Sequence, residues 1–365
     1  MTTAPMPGAG QGPLPGPGTP EAPARTRRRM SGKAKALTAV GVLVALLLGG
    51  GLGAVLLFQH NLDRNIERLG DPFADLPERP DPAPAAGANG PVNFLVVGSD
   101  SRINANDPTQ WAYGAQRTDT IMLVHLPGDR QAAQVISLPR DLWVPIPGHG
   151  ESKINAAFSW GGPPLLIQTV EQLTGIRIDH FLVTSFESFA EMTDTLGGVE
   201  ITVAHDVHDR AQGFQPAGTH LMTGEEALRY VRTRYGLPHG DFDRVQRQQN
   251  WMRAIMKDVA QNRTDVRTVT DFLTTVSRSV AADDALTAGR MRELFTSTIG
   301  LGPGDVTFLT APHAGTGRSP DGRQSIVVLD RQRLDPLMAA IAADDATAYV
   351  AEHAEELKIL GHTVR

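Results

Sequence analysis

Residues 36–58, ALTAVGVLVALLLGGGLGAVLLF, run for 23 positions without a charge. At about 1.5 Å per helical residue such a run spans a hydrocarbon core of about 30 Å, so it reads as a transmembrane helix that separates two parts of the chain. Six basic residues precede it in RTRRRMSGKAK. Positive charge stays on the cytoplasmic side, which puts residues 1–35 in the cytoplasm and the chain from 59 onward outside the cell membrane. A cleaved signal peptide would carry an apolar stretch of about 7–15 residues and a small-residue cleavage site, and FQHNLDRN supplies none. The glycines at 49–51 weaken the helix locally, which membrane helices tolerate.

The flanks are not globular. MTTAPMPGAGQGPLPGPGTPEAPA is rich in Pro, Gly and Ala with almost no large apolar side chain, so residues 1–35 cannot offset the entropy of ordering and read as a disordered tail. Residues 59–91 read as a polar stem and a Pro-rich spacer, DPFADLPERPDPAPAAGANGP, that holds the folded domain away from the lipid. With no cysteine, an exported domain over 92–365 must rely on its own core, which about 270 residues can build.

That domain reads as α/β. VNFLVVG (92–98), DTIMLVHL (119–126) and AQVISLP (133–139) are β-branched apolar runs of buried strands, and GDR at 128–130 makes a hairpin of the last two. Helical and strand patterns then alternate: helix 163–175, strand 180–185, helix 186–198, strand 199–203. Thr223 and Glu226 form a capping box for a helix over 223–234, and a second helix starts near Asp243 with that residue as N-cap. Two further helices fall within 266–298, strands at 306–310 and 325–329, and a final helical stretch from Arg331. The expectation is a single domain with a central mixed sheet covered by helices.

The charged residues cluster oddly. The chain has a formal net charge of −6, yet RYVRTRYGLPHGDFDRVQRQQNWMR (229–253) holds six arginines. Loops at the carboxyl edge of a sheet share a crevice, and three segments reach that edge with like chemistry. GSDSR (98–102) brings Asp100 and Arg102, RTDT (117–120) brings Arg117 and Asp119, and SLPRD (137–141) brings Arg140, with Asp141 as a turn cap. Two carboxylates among arginines suit a hard divalent cation shared with phosphate oxygens, or else a structural ion-pair network. Lys153 is the sole lysine between residues 36 and 256 in a chain of 29 arginines and five lysines; it is either incidental or a point charge on a phosphate. Arg232 and Arg234 end one helix, Arg244 and Gln248 share a face of the next, and Arg247 lies on an adjoining face. A helix N-terminus flanked by guanidinium groups is an anion site. Nucleic acid is a poor candidate for that anion, because the chain is acidic overall, the expected topology puts the domain outside the cell, and no recognition-helix or aromatic stacking motif accompanies the arginines. No H-x-x-x-H zinc spacing or G-x-S-x-G elbow is present, and Ser99 and Ser101 have no positioned base.

NFLVVGSDSR, RTDTIMLVHL, ISLPRDLWVPIP, KINAAFSWGG, IDHFLVTSFESFAEMTDTLGGVEI and LTGEEALRYVRTR followed by GDFDRVQRQQ together resemble the LytR-CpsA-Psr family of cell-wall proteins, in order over residues 92–260. The resemblance implies a membrane-anchored, Mg2+-dependent phosphotransferase, with Mn2+ as a substitute. Its reaction would move a glycopolymer from a polyprenyl-pyrophosphate carrier to the muramic acid 6-hydroxyl of peptidoglycan. By motif, Asp100 and Asp119 would hold the metal. Arg102, Arg117, Arg140, Arg232, Arg234, Arg244 and Gln248 would contact the pyrophosphate, with Lys153 and Arg247 nearby, and Asp241 is the candidate base for the acceptor hydroxyl. An apolar tunnel between sheet and helices would house the prenyl tail. The family's last motif often reads G-D-x-G-R, where this chain has Asp243 in GDFDR. A pyrophosphatase or a non-catalytic lipid-binding or regulatory wall protein is the alternative. The polymer, arabinogalactan, a teichoic acid-like chain or capsule, is left open.

Overall fold

The computed structural model describes residues 60–83, 89–99, 118–298 and 300–364. In chain order these contain β1 (Glu67–Arg68), β2 (Val92–Ser99), β3 (Thr118–Leu126), β4 (Ala133–Leu138), α1 (Ile154–Thr174), β5 (His180–Ser185), α2 (Phe186–Thr195), α3 (Gly224–Arg232), α4 (Asp241–Gln261), α5 (Val266–Ser279), β6 (Val280–Ala282), α6 (Ala288–Thr298), β7 (Val306–Thr310), α7 (Arg331–Ala342) and β8 (Lys358–Ile359). The eight strands form one mixed sheet in the order β1-β6-β5-β2-β3-β4-β7-β8. The expected hairpin is present, with β3 antiparallel to both β2 and β4. β5 pairs in parallel with β2, and β7 with β4.

Period-2 alternation sorts the strand residues onto two faces. Leu95, Val97, Ile121, Leu123, Ile136 and Leu138 pack against Leu166, Ile167 and Val170 of α1 and Leu334, Leu337 and Ile341 of α7. Val96, Met122, Val124 and Val135 face Met252 and Met256 of α4. Around α4, Tyr230 and Val231 of α3 and Trp251 form a further cluster with Val199 and Ile201, whose strand Val199–Val203 pairs with Gly218–Met222 as a separate ribbon. Helices therefore cover both faces, as expected for an α/β domain.

Several local expectations hold for the stated reasons. Thr223 and Glu226 close the capping box of α3. The helix expected over 163–175 is the second part of α1, which begins at Ile154 and bends at Gly162, where φ is 62°. Pro163 and Pro164 sit just after that bend, where a missing N–H costs least. The strand expected at 325–329 forms, but it pairs with His313–Arg318 outside the main sheet.

The stem departs from expectation. Instead of standing as a spacer, Glu67–Arg68 adds a parallel edge strand beside Ala281–Ala282, and Leu69, Phe73 and Leu76 pack on the main core. Arg79 holds both carboxylate oxygens of Glu171 at 3.1 and 3.2 Å and donates to the Ile178 carbonyl. Glu171 is 2% exposed. Arg79→Ala strands that charge, so it should cost about 3 kcal/mol of stability, read as a lower midpoint in urea unfolding. Among the described residues no helix is long and apolar enough to cross a membrane; the span expected at 36–58 lies outside them.

Candidate functional site

Strand directions converge on one edge of the sheet. β2 ends at Ser99, next to the end of β5 at Ser185 and the start of β3 at Thr118. β4 runs back antiparallel to β3 and ends opposite Ile121, so Pro139 and Arg140 leave at the same edge. Gly98 lets the strands close there, since a Cβ on it would lie 3.0 Å from Cβ of Thr120. The amino end of α4 completes the site.

Arg140 is the centre of the cluster. Its Nη1 donates to Asp119, its Nη2 lies 3.7 Å from Asp241, and its Nε lies 4.0 Å from Asp141. Burial opposes its charge, but Asp241, then Asp119 and Asp141, outweigh that effect and hold the guanidinium above its ordinary pKa. Arg244, 3% exposed, lies 2.9 Å from Asp241 and 3.9 Å from Asp119. Arg234 reaches Asp241 at 3.3 Å, and Lys153 reaches Asp141 at 2.9 Å. Asp241 therefore meets three guanidinium groups, and Asp141 joins Arg140 to Lys153 rather than serving only as a turn cap.

Among the described residues, three buried donors in this cluster have no hydrogen-bond acceptor: Nε of Arg140, Nε of Arg244 and Nε2 of Gln248. Gln248 is otherwise fixed, its Oε1 accepting from Thr120 Oγ1 at 3.0 Å. Unmet buried donors cost roughly 1–3 kcal/mol each, and a bound polyanion would satisfy them. Beyond Gln248 the site opens into a narrow apolar crevice of about 20 Å³, lined by Val96, Met122, Phe186, Phe189, Trp251 and Met252 between the sheet, α2 and α4.

Other residues fall elsewhere. Arg232 pairs with Glu187 at 3.0 Å and lies 5.8 Å above the Phe186 ring, at the rim of the crevice; Glu187, in the first turn of α2, carried no sequence signal. Arg247 is a correction. It is 0% exposed, donates to Gln215 Oε1 at 2.5 Å and stacks 4.5 Å over Tyr230, because α3 covers its face of α4. Burial pushes its pKa down. Asp243 is not the N-cap of α4; Gly240 is, and Asp243 inside the first turn accepts from His239 N at 2.9 Å, closing the loop before the helix. Asp100, Arg102 and Arg117 lie outside the described residues. Among those described, no group of three or more His, Asp or Glu is arranged to hold a metal. The carboxylate of Asp119, at the strand edge, is the hard oxygen donor on the described side of the expected pair.

A model of the LytR_cpsA_psr family matches residues 74–341. The chain is 38% identical over 239 residues to the probable cell wall biosynthesis protein LcpB of Corynebacterium glutamicum, covering 63% of this chain and 54% of that protein. It is 31% identical over 282 residues to that organism's cell wall biosynthesis protein LcpA, covering 67% and 54%, so it spans about half the length of either. It is also 30% identical over 230 residues to the polyisoprenyl-teichoic acid–peptidoglycan teichoic acid transferase TagU of Halalkalibacterium halodurans, covering 62% and 73%. The fold is similar to that of the LytR-Csp2A-Psr enzyme from Actinomyces oris, with a TM-score of 0.57 at 23% identity over 74% of this chain and 96% of that one. Linked motifs, a mixed sheet with its arginine-rich edge, and the family match across most of the chain agree: the protein belongs to the LytR-CpsA-Psr family.

Proposed function

We propose that the chain is a membrane-anchored phosphotransferase that moves a glycopolymer from a polyprenyl-pyrophosphate carrier to the muramic acid 6-hydroxyl of peptidoglycan and releases polyprenyl phosphate. The observation that carries this reading is the trio of orphaned donors on Arg140, Arg244 and Gln248 beside an apolar crevice. A diphosphate with a prenyl tail has both chemistries, and the two halves of the site adjoin in that order. The name of the H. halodurans relative favours the same substrate class.

In the reaction, the acceptor hydroxyl attacks the phosphorus next to the sugar. A new phosphodiester bond forms, the bond to the bridging oxygen breaks, and the charge that develops on the departing prenyl phosphate is met by Arg140, Arg244 and Arg234. Such transfer depends mostly on positioning and electrostatic stabilisation. The hydroxyl proton passes to Asp241. Lys153 lies at the far side of Arg140, and Gln248 donates at the junction with the tail. Met252, unbranched and adaptable, yields to widen the crevice. Mg2+, or Mn2+ in its place, would be held by Asp119 with Asp100 and would neutralise charge on the diphosphate. The anchor is the run at 36–58, with the amino-terminal tail in the cytoplasm.

The test is a reaction of the full chain in detergent with a synthetic polyprenyl-pyrophosphate glycan and peptidoglycan fragments, with and without Mg2+, scored by mass spectrometry. Glycan joined to peptidoglycan through a phosphodiester, formed only with the divalent cation, is the expected product. Free phosphorylated glycan alone would mark a pyrophosphatase, and no turnover would mark a lipid-binding protein.

A further inference from the structure

Arg234 has no helix to hold it. α3 ends at Arg232 and Thr233 is its C-cap, with φ −59° and ψ 129°, so Arg234 sits on the loop that leads to α4. A guanidinium on a free loop would lose conformational entropy each time it met a substrate. The hairpin formed by Val207–Asp209 and Gly213–Gln215 ties this loop at successive positions. Gln215 Nε2 donates to Thr233 Oγ1 at 2.7 Å, and the buried Arg247 holds Gln215 from behind. One carboxylate oxygen of Asp209 accepts from the backbone N–H of Arg234 and of Tyr235, both at 2.8 Å. Its other oxygen accepts from Ala211 and Gln212 at 2.7 and 3.1 Å. Gly236, with φ 78°, lies against the His208 carbonyl so closely that a Cβ would stand 2.4 Å from that oxygen.

Asp209 is 4% exposed and its four donors are all backbone. Burial alone would raise its pKa, but the four N–H groups outweigh burial and hold it below the ordinary carboxylate value. Two successive amides aimed at one oxygen fix the direction of the chain between them, and with it the direction in which the Arg234 side chain leaves. That side chain then reaches Asp241 at 3.3 Å.

We propose that Asp209 is a positioning residue for the transfer reaction, a clamp that fixes the backbone at 234–235 so that Arg234 is held ready for the diphosphate. The inference rests on the reading of Arg234 as a diphosphate contact. An amide in place of the carboxylate has one acceptor oxygen instead of two and turns its own N–H groups toward those of the loop. Asp209→Asn therefore loosens the loop and lowers kcat/KM about ten- to a hundredfold, the effect expected for a contact misplaced by about 1 Å.

The experiment is a double-mutant cycle on the full chain in the transfer assay, with thermal unfolding of each variant as the check on folding. Asp209→Asn, Arg234→Ala and the double variant are compared with the parent. In the Arg234→Ala background, Asp209→Asn should change kcat/KM by less than about twofold, because the group it positions is gone. An equal loss in both backgrounds would mean that Asp209 supports the fold in general, and would overturn the proposal. If Arg234→Ala were as active as the parent, the contact reading of Arg234 itself would fall, and the clamp with it. Hydrogen exchange on the unaltered protein gives a readout that needs no variant. The Arg234 and Tyr235 amides should exchange at least about a hundredfold more slowly than unprotected ones, and free exchange at both would overturn the clamp.

Discussion

Arg244→Ala lowers kcat/KM for glycan transfer by about a thousandfold, the scale seen when a positioned cation is removed from a phosphoryl-transfer site. The size follows from where the residue sits. Arg244 is 3% exposed in the first turn of α4, one of its nitrogens lies 2.9 Å from Asp241, and its Nε meets no acceptor among the described residues. Water cannot replace it, and the charge developing on the departing phosphate would meet one guanidinium fewer in a poorly solvated place. Arg244→Lys should recover only a small part of the loss, since an ammonium group cannot present two parallel N–H bonds. Steady-state kinetics at saturating Mg2+, with unfolding curves for each variant, measure both effects. A loss under tenfold for Arg244→Ala would remove the residue from the reaction.

Asp241→Asn lowers turnover by about a hundred- to a thousandfold, the usual contribution of a positioned general base. Its carboxylate stands at the mouth of the site with Arg140, Arg234 and Arg244 around one oxygen. An asparagine keeps the shape of the turn but accepts no proton. The test separates two roles. If Asp241 takes the acceptor proton, the acidic limb of the pH–rate profile disappears in the variant while donor binding stays within a few-fold of the parent. If the carboxylate only arranges the arginines, the limb remains and donor KM changes instead. The first outcome is expected, and a pH–rate profile of unchanged shape would exclude the base role.

Much of this site was legible because it depends on short-range rules. β2, β3 and β4 are dense in β-branched residues, so their bounds followed from composition and from the turn at 128–130, and strand ends then located Asp119 and Arg140. Pro139 marked the exit of β4. Arg244 and Gln248 followed from helical spacing. The failures depend on tertiary neighbours. Arg247 is three positions from Arg244, nearly on the same side of α4, and only the packing of Tyr230 and Gln215 decides that it is covered. Asp243 has the chemistry of an N-cap, but Gly240 reaches a φ of 54° and starts the helix earlier. β1 has two residues and β6 three, too short to show alternation, so the stem read as a spacer. Asp209 carries no motif at all, and its role rests on backbone amides that the side-chain sequence does not display.

The most direct test of the proposed diphosphate site is a crystal structure of residues 60–365 with a short-chain polyprenyl diphosphate. Phosphate oxygens are expected within hydrogen-bond distance of Arg140, Arg234 and Arg244, with the first isoprene units passing Gln248 into the crevice beside Trp251 and Met252. A diphosphate bound elsewhere, such as the cleft beside Arg253 and Lys257 on the outer side of α4, with the Arg140 cluster unchanged, would contradict that assignment.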